Sequence, residues 1–373
     1  MAGNDTSSHK DFKLPSTTKS LAAEVGCEAS HSSTKQQQLR EAGIKRIYTI
    51  EGCSWDYSFR CFVLDLENGE ETTLTISPAS EKDKIGVHLG FSAVALGSII
   101  YLIGGYCSTR SCPDGLRGAK HPHRYVRYFD ANEPEKGWKL GVPMQTGRAW
   151  AAAAAIDEKI YVFGGLMNKS GASNNDVFGE CFDSKTNKWS PLTVLDYKPT
   201  CRVDIQVPYV PKNGNGKKSI LINSFMGKET LYEYLLDEQE WRIVDQTFGK
   251  CVNQGAILDD ILYTVWEDDE NPFHGFDLIR KQWFPVDVKL PKLNQIAASV
   301  FPSGSDKLCL VWHFLENKIV DRSKYRRVEC LELKPNKSSS PSGELILTAS
   351  VEYHQTFYVP SSHFQQYFLP MEV

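Results

Sequence analysis

No uninterrupted apolar run of about 18 residues occurs in this 373-residue chain, so a membrane-spanning helix is not expected. The first twenty residues, MAGNDTSSHKDFKLPSTTKS, lack the apolar core of a secretory leader, which argues against secretion. Positive charge is not in excess. Lys and Arg number 42 against 46 Asp and Glu, a net charge of −4. A dedicated nucleic-acid binder usually shows a basic surplus, so no nucleic-acid partner is expected. No CxxC pair occurs among the ten cysteines. In a chain that is not secreted these read as reduced thiols, several of them in strands, and not as a disulfide framework. Also missing are GxSxG, a phosphate-binding GxxxxGK[ST] loop and HExxH.

A long segment of 3.6-residue periodicity is lacking as well. In its place stand short apolar stretches separated by turn residues, with 27 Gly, 18 Pro, 8 Trp, 16 Tyr and 18 Phe. That pattern predicts an all-β fold. Residues 1–40 are rich in Ser, Thr, Lys and Gln and too poor in apolar groups to offset the entropy of ordering. They read as a disordered arm, with a short helix around Lys35–Ala42. A second polar stretch, Lys334–Gly343 (KPNKSSSPSG), reads as a surface loop.

Residues 41–373 are built on an internal repeat. Two segments, SIIYLIGGY (98–106) and EKIYVFGGL (158–166), end in a glycine pair. Degraded copies are RIYTIEG (46–52), DILYTVWE (260–267) and DKLCLVWH (306–313). Downstream, a second strand and a turn lead to tryptophan at Trp138, Trp189, Trp241 and Trp283, spaced by 51, 52 and 42 residues. About six units result, each able to supply four strands. One such sheet cannot bury both its faces, whereas sheets arranged radially about an axis cover one another. The glycine pair is expected at the end of each second strand, and the tryptophan between neighbouring sheets. A terminal strand around Thr356–Val359 is expected to close the ring beside the first unit.

The glycine pair, the aromatic after it in Gly104–Tyr106 and the later tryptophan resemble kelch repeats, with Gly164–Gly165 and Trp189 as the best copy. The resemblance covers about residues 44–360 and is similar to plant kelch proteins, including those with an F-box. It implies a six-bladed β-propeller. Residues 1–40 are too short and polar for a helical F-box, so recruitment to a ubiquitin ligase through one is not carried over.

Equal register points to one recognition face. Arg148 lies sixteen residues before Gly164, His88 sixteen before Gly104, and Lys250 sixteen before Trp266, while Arg202 opens the fourth unit. These places converge near the start of the innermost strands. Cations around a narrow mouth attract an anionic ligand. Kelch proteins that bind acidic peptides use arginines of this kind, so the resemblance implies an acidic protein segment or an anionic small molecule as partner. Arginine there also serves structural hydrogen bonding in kelch repeats. The insertion Cys107–Tyr125 offers Cys107, Cys112, His121 and His123, but C-x4-C and H-x-H are not usual zinc spacings, and a basic surface loop is the plainer reading.

Glu267, Glu270 and His274 in EDDENPFH approach the Glu-x3-Asp-x3-His pattern by which nitrile-specifier kelch proteins hold Fe(II), one residue short and with Glu in the middle. Otherwise no cofactor is expected. Cys181 and Cys330 read as core residues, and Trp150–Ala155 (WAAAAA) as close packing near the axis. Two functions stand at this point. The first is a protein-binding kelch module in the cytoplasm, the nucleus or both. The second is an isomerase, lyase or specifier-like enzyme of plant specialised metabolism, with His88 as acid or base. Binding is preferred on the family resemblance.

Overall fold

Among the described residues, short segments rich in β-branched and aromatic residues, each ending in turn formers, become strands. The computed structural model describes residues 43–53, 58–84, 90–106, 122–165, 178–193, 203–209, 217–224, 230–248, 254–266, 271–290, 298–320, 323–360 and 367–371. Among them are strands and two single-turn 3-10 helices, with no α-helix. No helix among these residues is long and apolar enough to cross a membrane.

The first sheet holds β1 (Arg46–Cys53), β2 (Phe59–Asp65) and β3 (Glu70–Ile76). The second holds β4 (Ser92–Leu96), β5 (Ile99–Ile103), β6 (Val126–Asp130) and β7 (Lys139–Leu140). The third holds β8 (Ala152–Ile156), β9 (Lys159–Phe163), β10 (Gly179–Asp183) and β11 (Lys188–Pro191). The fourth holds β12 (Val203–Tyr209), β13 (Ser219–Ser224), β14 (Leu231–Leu235) and β15 (Glu240–Asp245). Two further antiparallel quartets follow. One is β16 (Ala256–Leu258), β17 (Ile261–Val265), β18 (Phe273–Asp277) and β19 (Gln282–Asp287). The other is β20 (Ala298–Ser303), β21 (Lys307–Val320), β22 (Ser323–Ser339) and β23 (Leu345–Pro360). A short parallel pairing of Val286 with Leu347 and Asp287 with Thr348 fuses these two into one eight-stranded sheet.

The last strand, β24 (Tyr367–Met371), returns to β1, with Ile47 opposite Pro370 and Thr49 opposite Phe368. The two ends of the described chain therefore share one sheet, which leaves the first unit without an open inner edge. This corrects the expected closure at Thr356–Val359. Those residues belong to β23, the outer strand of the last quartet, paired with Arg326–Glu329 of β22. The polar stretch from Lys334 is also not a plain loop. Lys334–Ser339 continue β22, opposite Leu345–Ser350, and the turn is confined to the residues between. Lys334–Ser339 are polar and mostly exposed, while Leu345 and Leu347 opposite them are buried, so the β22 side carries no apolar alternation by which a strand could be read.

The apolar cores lie between sheets. Phe59, Cys61 and Ile76 of the first sheet pack with Ile100, Leu102, Phe129 and Trp138 of the second unit. Val94, Ile103 and Val126 pack in turn with Ile160, Val162 and Trp189. The tryptophans repeat one device. Trp189 Nε1 donates to the Val142 carbonyl (2.9 Å), Trp241 Nε1 to Thr193 (3.1 Å) and Trp283 Nε1 to Phe248 (2.7 Å). Each acceptor lies two or three residues past the outer strand of the preceding unit. One side chain thus fills an intersheet space and pins the connection beside it. Burial raises the Cys61, Cys181 and Cys330 thiols and pushes Cys309 up to about 12, and all four are free thiols packed in the core.

Candidate functional site

β4, β8, β12, β16, β20 and β24 are the innermost strands. β24, β4, β8, β12, β16 and β20 pack in turn around a common axis, and all six line a cavity of about 260 Å³. Its wall is apolar and small, with Val94, Ala154, Val207, Ala256, Val300 and Leu369 contributed by successive strands. Gln254 is the one side-chain amide in it. The alanine run is therefore axial packing: Ala153–Ala155 face the cavity, where larger side chains would fill it.

At one end of this channel the inner strands begin, and the glycine pairs sit there. Gly104 and Gly164 follow β5 and β9 at φ +67° and +68°, a conformation open to glycine and strained for other residues. Close approach makes the requirement stricter at Gly104, where a Cβ would lie 2.2 Å from the Arg148 carbonyl oxygen. The main chain of Arg148 is held from both sides. Its amide donates to the His123 carbonyl (3.1 Å), and its carbonyl accepts from the Gly105 amide (2.7 Å).

The Arg148 side chain turns the other way, into the third unit, and has no exposed surface. Its Nε and Nη2 donate to Glu180 Oε1 at 3.2 and 3.1 Å. Nη1 donates to the carbonyls of Gly164 (2.7 Å) and Phe178 (3.0 Å). Glu180, equally buried, also accepts the amides of Gln145 (2.6 Å) and Thr146 (3.0 Å). The pair thus joins the second and third units and fixes the connection between them. An accessible cation at the mouth was the sequence expectation for Arg148. The structure places its guanidinium inside the wall, bonded to the fold.

His88, Arg202 and Lys250 lie outside the described residues, as do Glu267, Glu270, Cys107, Cys112 and His121. Of the iron pattern only His274 is described. It is a buried residue of β18 whose ring stacks on Trp266 at 4.1 Å and 16°. His123 is buried beside Tyr125, with ring centroids 5.5 Å apart. Among the described residues no three His, Cys, Asp or Glu side chains cluster as metal ligands would.

One feature of the repeat escapes a reading of glycines and tryptophans alone. Arg127, Glu180 and His274 each stand three residues before a turn aspartate (Asp130, Asp183 or Asp277) that accepts amides of its own turn. All three side chains are buried at the same place on the third strand of their units. Arg127 Cζ lies 4.8 Å from the Phe59 ring centroid, with Phe91 and Trp138 around it. The aspartate turn is the signal that would have marked these positions in the sequence.

Comparison with known proteins agrees with this architecture. A Kelch motif profile matches residues 148–193, a span that includes Arg148, Gly164–Gly165 and Trp189. An F-box/kelch-repeat protein of Arabidopsis thaliana is 28% identical over 200 residues, covering 48% of this chain and 45% of that protein. A second from the same plant is 25% identical over 272 residues, covering 69% and 61%. A third, a putative F-box/kelch-repeat protein, is 35% identical over 122 residues, covering 32% and 27%. The chain spans about half or less of the length of the first relatives it matches.

Proposed function

The matches support a plant kelch-repeat family for this chain, and on that premise we propose that it is a six-bladed kelch propeller serving as a protein-recognition module. Six inner strands around one cavity support the blade number, with the eight-stranded sheet counted as two blades joined at their outer edges. The observation that carries the functional reading is the channel itself. All six units converge on it, and its wall is apolar. A converging, rigid scaffold that presents loops at one end suits the binding of a partner segment.

The partner is an acidic protein segment. By their register in the repeat, Arg202 and Lys250, and His88 when protonated, are the cations that draw it in, and the buried Arg148 ties the second and third units together. An Arg202→Glu/Lys250→Glu double variant leaves the Arg148–Glu180 pair intact and tests this directly. Partner retention in affinity purification should fall about tenfold or more, and retention by the wild type should weaken as salt is raised. Equal retention by the double variant would remove the acidic-partner reading.

A further inference from the structure

Trp150 is an exposed tryptophan in a backbone conformation that the fold assigns to glycine. Its φ is +61°. The other described non-glycine residues with positive φ are Asp157, Glu158, Asn187, Gln239, Asp259, Asp260 and Lys281. All seven lie in hairpin turns between adjacent strands of one sheet, where such angles are ordinary. Trp150 instead leads the chain into the inner strand β8, and a bulky residue is a genuine outlier there.

The repeat shows what the position needs. Trp150 stands fourteen residues before Gly164, and Gly90 fourteen before Gly104. Gly90 has φ +71°, so the same place in the preceding unit carries glycine in the same conformation. The two residues also touch. The Trp150 amide donates to the Gly90 carbonyl at 2.6 Å. A Cβ on Gly90 would meet Cε2, Nε1 and Cδ1 of the indole at 3.0, 3.0 and 3.3 Å. Three near-equal distances mean that Gly90 faces the flat of the five-membered ring. Packing explains the indole only in part, because Trp150 remains 38% exposed.

We infer that Trp150 is an aromatic platform at the rim of the channel, where a partner segment lays a proline or aromatic ring on its outer face. This rests on the recognition reading above and adds an apolar anchor to it. A flat indole backed by a glycine offers a rigid, low-entropy contact surface. On that same recognition reading the register of Arg202 and Lys250 makes this mouth basic, which disfavours a cation on the ring. The flanking residues, Ala149 and Ala151, are small.

The test pans a phage-displayed library of random linear dodecapeptides against the full chain. Enriched peptides are then titrated against the wild type, Trp150→Gly and Trp150→Phe. Trp150→Gly relieves the strained backbone, so it should fold with an unchanged circular-dichroism spectrum. The expected result is peptides carrying proline or an aromatic residue whose affinity drops about tenfold or more in Trp150→Gly and is largely kept in Trp150→Phe. Peptides that bind Trp150→Gly as well as wild type would overturn the platform while leaving the recognition reading in place. Basic peptides sensitive to Trp150→Gly would overturn its apolar assignment. Enrichment of nothing above a blank surface would overturn both.

Discussion

Arg148 Nη2 lies 3.1 Å from Glu180 Oε1, and neither side chain has any exposed surface. Removing one partner leaves a buried charge uncompensated, whereas removing both leaves none. Arg148→Ala and Glu180→Ala should each destabilise the fold by roughly 3–5 kcal/mol in urea unfolding. The Arg148→Ala/Glu180→Ala double variant should lose clearly less than the sum of the two. Strict additivity in that cycle would mean that the pair does not act as a unit. Charge reversal at Arg148 is accordingly a stability experiment and not a clean test of ligand binding.

Two glycines of like conformation separate backbone strain from close approach. Gly97 has φ +59° and nothing within 4 Å of an added Cβ, while Gly104 at φ +67° faces the Arg148 carbonyl at 2.2 Å. Gly97→Ala should cost about 1–2 kcal/mol, the left-handed strain alone. Gly104→Ala should cost distinctly more, since backbone must move between two blades. Similar melting temperatures for the two variants would contradict this account of the glycine pair.

His313 provides a pH signature. Burial, with Arg326 nearby, lowers its imidazole from 6.5 to about 4. The unfolded chain binds the proton first, so this group's contribution to stability is present above pH 6.5 and is lost as pH falls towards 4. The loss is on the order of 3 kcal/mol at most. Urea midpoints measured between pH 7 and 4 should fall less steeply for His313→Gln than for the wild type. Parallel curves would show that the imidazole is not held neutral.

The core thiols should resist modification. Cys61, Cys181, Cys309 and Cys330 are buried, and all four thiols are raised above their ordinary range. Iodoacetamide at pH 8 should leave these four unlabelled in the folded protein and label them in urea, as read by peptide mass mapping. Rapid labelling of any one in native buffer would contradict the packing described.

What was legible in the sequence was what several units repeat. The glycine pair answers to a left-handed turn against a neighbouring carbonyl, and the tryptophan to an intersheet space with one free acceptor. The pair recurs in two units and the tryptophan in four, so both left a pattern. The closing strand did not, because the last hairpin is lengthened by polar, exposed residues from Lys334 onward, which displaces closure from Thr356–Val359 to Tyr367–Met371. Arg148 shows the same limit at the level of a site. Its spacing from Gly164 gave its place on the blade, but its burial depends on Glu180, 32 residues downstream on another strand. Register identifies equivalent positions. It does not say which way a side chain turns.

The most direct measurement is site-specific photo-cross-linking with benzoylphenylalanine in the full chain, incubated in plant extract. One probe replaces Gln254, which is exposed and lines the channel. The other replaces Ile279, which is 72% exposed in the hairpin turn between β18 and β19 of the same blade. Recognition at the channel mouth predicts a discrete protein adduct from position 254 and none from position 279. Adducts from position 279 alone, or from neither position, would contradict it.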